Sequence, residues 1–512
     1  MTRVHIELQR VQTYLFSVPR LRAMVGANTL VGEVLRVRLP ELAREQSGWT
    51  LATAPGAYPE TAPDDPLRSC DDPAADARDG IISRDGGHFE AVFASGAQRF
   101  AEEAGALLRR KLPGLRFRIS IDRKPIDAPS TGVSSELPVL ARCQWTGRGL
   151  ASRVVRQGDE RAVVSMEVAR RHEAARRSEQ GQAEDLASLL VKKTRLAALR
   201  RPTTFQELAD PGYLALIHAD GNAVGSAVAD DDSTRAHFFH RNRVLLRRAL
   251  KEAIDIASEH VDVAPLLLLM LGGDDVLVVS KAEVALPFVV DLCRALDRLQ
   301  RIDTGSFRLT LGVGVAIARP TIPIHRLHQV VEDLAASAKR RFRGLPRHEA
   351  RSVVDWAVDT ATWVEEPTAA RRRDWIRGSG DRLRVLSRRP LDVLGGGFDS
   401  LEGLLRAAQS LEGAPRSQLR YLVDQLPKGR YLSDLAFAEL SPAARKALNE
   451  AGITQVWTEA WSHPAKGSPL VTSILDLVEV YEIRRLGRAG TDLTGAGSLA
   501  GNHEKESSHG QA

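Results

Sequence analysis

Two consecutive aspartates, Asp274 and Asp275, follow two glycines in the stretch Leu266-Leu-Leu-Leu-Met-Leu-Gly-Gly-Asp-Asp-Val-Leu-Val-Val-Ser280. Carboxylates are the hard oxygen ligands that Mg²⁺ prefers, and Mg²⁺ usually keeps open positions for phosphates. One apolar run enters the turn and another leaves it, which predicts a β-hairpin holding both acids at its tip, at the edge of a core. A solvated hairpin turn would carry the same residues. Asp220 shifts that balance, because Tyr213-Leu-Ala-Leu-Ile-His-Ala219 reads as a strand ending in Asp220-Gly-Asn-Ala-Val-Gly225. Three carboxylates brought from two strand ends suit two-metal catalysis. Without cations they would repel one another.

The elements that must position these acids recur along the chain. Residues 3–8 read as a strand, followed by Gly26-Ala-Asn-Thr-Leu-Val-Gly32 leading into a helix and a Pro- and Asp-rich loop over roughly 53–79. Ile81-Ile82 and Glu90–Phe93 flank Gly86-Gly87-His88-Phe89. A helix follows over about 96–112, and Leu115–Ile121 alternates as a half-buried strand does. The second copy has a strand at 213–219, a helical pattern at 234–258, the Gly272-Gly273 hairpin, a helix near 283–300 and a strand at 307–317. Both copies read strand, helix, hairpin, helix, strand, the ferredoxin-like βαββαβ order. They differ at the turn: His88-Phe89 stands where the second copy has Asp274-Asp275, so only the second can bind metals this way. Between the copies, residues 150–205 read as helical and basic, with Arg170, Arg171, Arg176, Arg177, Lys192, Lys193 and Arg195. Such a run is usually a solvated face.

The 512 residues are 43% hydrophobic and 27% charged, enough for several domains. A net charge of +6 and a pI near 9.3 are compatible with a nucleotide or RNA partner without identifying one. Cys70, Cys143 and Cys293 are far apart and form no CxxC pair, so neither a disulfide framework nor a structural zinc is expected. No signal segment or membrane-length apolar run is present, which makes the cytoplasm the expected compartment and excludes a membrane partner.

In order along the chain, these motifs resemble the large polymerase–cyclase subunit of type III CRISPR effector complexes, especially the III-B form. Ala219-Asp220-Gly221-Asn222 with Gly225 is similar to that family's first-acid motif, and Gly272-Gly273-Asp274-Asp275 to its signature turn. Thr310–Ile317, Pro320 and Ala338-Lys339 resemble its closing strand and following helix. Tyr14-Leu-Phe16, Arg20, Arg22 and Gly26-Ala27 resemble its first palm, and Pro415–Leu419 its helical last domain. The resemblance implies an α+β chain with two ferredoxin-like palms in tandem. The segments are a degenerate first palm (1–149), a basic helical linker domain (150–205), a catalytic second palm (206–359), a helical C-terminal domain (360–488) and a disordered tail (489–512). Two departures stand out. No His-Asp dipeptide occurs, so the family's HD nuclease domain is not expected. Only Cys143-Gln-Trp-Thr-Gly147 is similar to its zinc-binding cluster, without partner cysteines.

What the resemblance implies is oligomerisation of ATP into 3′–5′ cyclic oligoadenylates, an antiviral signal made when other effector subunits carrying crRNA meet target RNA. Asp220 and Asp274 would hold two Mg²⁺ or Mn²⁺, with Asp275 as ligand or supporting acid. Gly272 and Gly273 would let backbone approach the nucleotide, and Gly221 to Gly225, ahead of a helix, could cradle phosphates. Asn222 is either a nucleotide contact or a turn residue. Lys339 would contact the triphosphate, or is an ordinary surface lysine. Gly86 and Gly87 would line a second nucleotide pocket, with His88 substrate-facing or structural. His218 reads as a packed strand histidine. Two other readings stay open: a scaffold that binds crRNA-loaded partners and target RNA with little catalysis, and a stand-alone palm-type cyclase. A diguanylate-cyclase-like (GGDEF) reading is disfavoured by Val276 after Asp275 and by two palms in one chain.

Overall fold

The computed structural model describes residues 1–486 apart from 19, 46, 53–58, 61, 126–140, 158–159, 183–184, 210–211, 228–231, 303–306, 347–348, 360–366, 379–382, 456–460 and 463–468. The expected tail at 489–512 lies outside the described residues. Contacts divide the chain into two compact units. The first comprises 1–203, 223–262 and 268–277, the second 204–222, 263–267 and 278–512.

In the first unit, β1 (Thr2–Gln9) leads to α1 (Val11–Phe16) and α2 (Leu21–Glu33); then come β2 (Ile81–Ser83), β3 (His88–Ser95), α3 (Ala97–Lys111) and β4 (Arg116–Ile121). The strands lie in the order β2-β3-β1-β4, with β1 antiparallel to both neighbours. That is the ferredoxin-like arrangement expected from the pattern. Val4, Ile6 and Leu8 are buried, while the alternate residues of β1 stay half-buried on the other face, so period-2 patterning was legible here.

Several expectations are corrected. Gly26–Gly32 does not precede a helix but lies within α2, where a Cβ on Gly26 would sit 1.8 Å from Arg171 O. The glycine thus permits close contact with α4 (Met166–Glu179). The loop over 53–79 ends in a helix, Pro73–Arg78, capped when Ala74 N–H donates to Asp72 Oδ1 at 3.0 Å. Segment 150–205 is not wholly helical, because Ala151–Gln157 and Glu160–Ser165 form an antiparallel hairpin. Val155, Ala162 and Val164 face inward, while Val154 and Val163 on the opposite face are exposed. Nor is Arg171 a solvated charge. It is fully buried, donating to Tyr14 O (2.7 Å) and Ser17 Oγ (2.9 Å) and pairing with Glu167.

The second palm contains β5 (Leu214–Gly221), α5 (Asp232–Ala257), β6 (Leu266–Gly272), β7 (Asp275–Lys281), α6 (Ala282–Ile302) and β8 (Leu311–Ala318). Its sheet order, β6-β7-β5-β8, repeats that of the first palm and continues through β9 (Val353–Asp359) to β10 (Leu391–Asp392). β9 runs parallel to β8, which is why a helix, α7 (Ile324–Arg343), must connect them. Every residue of β8 is buried, so its sequence reads as one apolar run rather than an alternation. Gly314 brings α7 onto the strand: a Cβ there would lie 2.3 Å from Val331 O and 2.7 Å from Ala335 N.

Segment 360–488, expected as helical, also carries a four-stranded sheet of short strands: Ile376–Arg377, Arg384–Val385, Leu470–Thr472 and Trp461–Ser462. Two- and three-residue strands give too few alternating positions to read from pattern. Helices Leu401–Ser410, Arg416–Gln425, Arg430–Glu439, Pro442–Glu450 and Ile474–Arg484 make up most of the rest. No described helix is long and apolar enough to cross a membrane.

Candidate nucleotidyl-transfer site

Asp220 is the penultimate residue of β5 in the second unit, whereas Asp274 and Asp275 sit at the β6–β7 turn in the first. All three are half-buried, which keeps a carboxylate reachable while limiting its contact with water.

In the second unit, β5 and β8 pair antiparallel, with Asp220 opposite Gly312 and His218 opposite Gly314. Lys339 of α7 forms an ion pair with Asp220. Gly312 makes room for that lysine, since a Cβ would lie 2.7 Å from Lys339 Cγ and 3.0 Å from Asn222 Oδ1. Asn222 is tied down twice: its N–H donates to Thr310 O at 2.8 Å, and its Nδ2 donates to Thr310 Oγ1 at 3.1 Å. This amide N–H is therefore engaged rather than offered to phosphate. Helix Val224–Ala227 after it has only four residues, and a Cβ on Gly225 would meet nothing within 4 Å. His218 is buried, with Nδ1 3.2 Å from Glu332 Oε1.

In the first unit, the two double-glycine turns pack against each other. Gly86 (φ +62°), Gly87 (φ +78°) and Gly273 (φ +63°) take left-handed conformations that suit glycine. A Cβ on Gly273 would lie 3.3 Å from Gly86 Cα, and one on Gly272 3.4 Å from it. These glycines therefore serve turn-to-turn packing, a reason sequence alone did not supply. Gln12 Nε2 donates to Asp275 Oδ2 at 3.1 Å.

His88 opens β3 directly after its turn and has a companion that sequence reading missed. His5 of β1 stacks on it, with ring centroids 5.3 Å apart and planes 17° from parallel. His88 Nδ1 and His5 Nε2 are 3.2 Å apart. Burial lowers the pKa of both, and for His88 the charge of His5 lowers it further. The signal was the period-2 placement of His5 among Val4, Ile6 and Leu8, but its partner is more than 80 residues away. A cavity of about 320 Å³ adjoins the pair and includes Gly86, Gly273 and Asp274 among its walls.

The donor set suits a hard cation. The ammonium of Lys339 already stands on Asp220 as a cationic partner, and Asn222 Oδ1 is a buried acceptor without a hydrogen bond. Among the described residues, however, no group of three or more His, Cys, Asp or Glu side chains is arranged to hold a metal ion.

Residues 213–344 match the family model for the second palm domain of Cas10/Cmr2. The matched residues run from the start of β5 to the end of α7 and include Asp220, Asp274, Asp275 and Lys339. No curated protein matches the chain. Among solved structures, a Csm1–Csm4 cassette in complex with cA4 is similar at 14% identity and a TM-score of 0.41, covering 88% of this chain and 69% of that one. A Csm1–Csm4 subcomplex of the type III-A CRISPR-Csm interference complex gives 14% and 0.39, with 88% and 69% covered. Csm1 in T. onnurineus gives 15% and 0.38, with 89% and 69% covered.

Proposed function

We propose that the chain is a metal-dependent nucleotidyltransferase that joins ATP through 3′–5′ linkages into cyclic oligoadenylates and releases pyrophosphate. It acts as the large subunit of a type III CRISPR effector complex, III-B-like and without an HD nuclease domain, with crRNA-loaded subunits and target RNA as partners. The observation that carries this reading is the match of residues 213–344 to the Cas10/Cmr2 second-palm model, a stretch that includes both the cation-paired strand-end acid Asp220 and the Gly-Gly-Asp-Asp turn.

Asp220, Asp274 and Asp275 would hold two Mg²⁺ or Mn²⁺, which when bound lower the pKa of the attacking 3′-hydroxyl and neutralise the leaving pyrophosphate. Phosphoryl chemistry otherwise asks the protein for position and charge. Thr310 fixes the backbone just past Asp220 through Asn222. Lys339, ion-paired with Asp220, adds positive charge beside the reacting phosphates. The closely packed glycine turns place Asp274 and Asp275 at the hairpin tip.

A scaffold reading is favoured by a separate observation: Gln12 Nε2 already donates to Asp275 Oδ2 at 3.1 Å, and among the described residues no group of three or more His, Cys, Asp or Glu side chains is arranged to hold a metal ion. One experiment separates the two. Purified protein is incubated with ATP and Mg²⁺ or Mn²⁺, with and without guide complex and target RNA, and products are read by mass spectrometry beside Asp274→Ala/Asp275→Ala. Oligoadenylates that vanish in the double variant are expected, and RNA dependence distinguishes an effector subunit from a stand-alone cyclase. No nucleotide product under any activator, with RNA and partner binding unchanged in the variant, would leave the scaffold.

A further inference from the structure

A cavity of about 490 Å³ lies in the second unit, where α6 meets the residues that lead into β8 and β9. Its volume is within the range of small-molecule sites, and neither Asp220 nor the Gly-Gly-Asp-Asp turn is among its walls. Four arginines line it: Arg294 and Arg301 of α6, Arg308 and Arg351. Two of them are balanced. Arg294 bridges Asp291 at 2.6 Å and Glu402 at 3.0 Å, and Arg351 pairs with Asp392 at 2.9 Å and with Glu349. Arg301 and Arg308 instead share one carboxylate. Arg301 Nη2 donates to Asp297 Oδ2 at 2.9 Å, and Arg308 pairs with Asp297 Oδ1. Among the described residues no second acid stands on either, so this wall holds one positive charge in excess. Cys293 adds no negative charge at neutral pH, because burial pushes its thiol up to about 12. Paired guanidiniums grip phosphate oxygens through charge-assisted hydrogen bonds.

The same walls fasten the chain that enters β8. Gln300 Nε2 donates to Leu309 O at 2.9 Å, and Leu309 N–H donates back to Gln300 Oε1 at 2.6 Å. Ser352 Oγ accepts from Leu311 N–H at 3.0 Å. Between them Thr310, itself a wall residue, receives both hydrogen bonds of Asn222, two positions after Asp220. We propose that this cavity is an effector site for a small phosphate-bearing anion, held by Arg301 and Arg308 and felt at Asp220 through Leu309–Leu311 and Asn222. An anion on Arg301 loads the turn of α6 that also carries Gln300, and so tightens the clamp on Leu309. That such tightening alters catalysis rests on the transferase reading above; the anion site and its effect on the β5 end do not.

The test uses the full chain in EDTA at physiological salt with inorganic pyrophosphate as probe, followed by calorimetry and by hydrogen exchange read by mass spectrometry. Without divalent ions Asp220, Asp274 and Asp275 are bare carboxylates that repel the probe. Expected are saturable binding and slower exchange in peptides covering 307–313 and 219–223. Arg301→Gln/Arg308→Gln should weaken binding about tenfold to a hundredfold, the scale of lost charged hydrogen bonds, and Lys339→Met should leave it unchanged. Thermal melting checks folding; should the double variant not fold, Arg301→Gln alone, at a side chain 77% exposed, carries the comparison. No saturable binding, binding indifferent to the arginines, or binding lost with Lys339 would overturn the site. Binding without a change in exchange at 219–223 would overturn its link to Asp220. Product analysis with ATP and Mg²⁺ reports separately on the transferase. Pyrophosphate binding without oligoadenylates defeats only the transferase, and oligoadenylates without arginine-dependent binding defeat only the effector site.

Discussion

In the first palm, β1 buries Val4, Ile6 and Leu8 and leaves His5, Glu7 and Gln9 half-buried on its other face, whereas in the second palm all eight residues of β8 are buried. Both sheets have the same strand order. The difference lies in what each face can carry. A sheet with one open face can hold polar rings along its strands, and the first palm places His5 beside His88 there. In a sheet covered on both faces a mid-strand polar ring needs a polar partner, as His218 of β5 has in Glu332, while the three candidate acids lie at strand ends and turns. Asp220 is accordingly next to the end of β5, and Asp274 and Asp275 sit where β7 begins. Duplicating a fold thus need not duplicate a chemistry, because burial decides which positions can stay polar.

The largest expected effect is on product formation and asks whether the two turns are equivalent. Asp274→Ala/Asp275→Ala should lower oligoadenylate yield by about a thousandfold or more, as loss of metal-binding carboxylates removes charge stabilisation in the transition state. His88→Ala, at the matching place in the first palm, should lower it by about tenfold, the scale of a substrate contact. Equal losses in the two variants would end the distinction between a catalytic and a degenerate palm.

A second contrast concerns glycines. Gly314→Val would drive a side chain into the backbone of α7 at Val331 and Ala335, and overpacking of this kind costs about 1–3 kcal/mol or more. Gly225→Ala, with open space around it, should change stability by less than about 0.5 kcal/mol. Denaturant unfolding of both checks this, and similar midpoints would mean that α7 does not lie as close to β8 as the structure places it.

The two turns and the two βαββαβ element orders were legible because apolar runs and double glycines are local signals. Asp220, Asp274 and Asp275 could be named for the same reason, as carboxylates at strand ends. Partners were not legible. The Lys339–Asp220 pair spans 119 positions, and whether that lysine meets solvent, phosphate or a carboxylate depends on how α7 crosses β8. His5 looked like one polar position in an alternating strand until β3 placed His88 against it. Gln300 and Arg301 lie on α6, whose pattern predicts a helix but not the cavity it borders. The hairpin at 151–165 was missed for a different reason, since valines stand on both of its faces, Val154 and Val163 outward and Val155 and Val164 inward, which blurs the period-2 pattern.

Lys339→Met sharpens the comparison inside the second palm. The pair it makes with Asp220 is roughly a quarter exposed on each side, so its loss should cost about 1 kcal/mol or less in stability. Its effect on product yield should be larger, about tenfold to a hundredfold, if the charge serves the reaction. A stability loss without a yield loss would make Lys339 a structural tie only.

The smallest effect separates the palms by pH. Burial holds the pKa of His5 and His88 below the ordinary histidine value of about 6.5, and for His88 the charge of His5 lowers it further. The native protein therefore binds fewer protons than the unfolded chain between that lowered value and about 6.5. Stability rises with pH wherever the unfolded state binds more protons. The pair's contribution is complete above about 6.5 and is lost as pH falls through that window. His88 keeps an exposed edge, which makes its share modest. The melting temperature should fall on acidification from pH 7.5 to 5.5, and His5→Gln/His88→Asn should flatten part of that fall. An Asp274→Asn variant, changed only in the second palm's turn, should keep the slope. A double-histidine variant with the slope of the parent would place the pH response outside the first palm's open face.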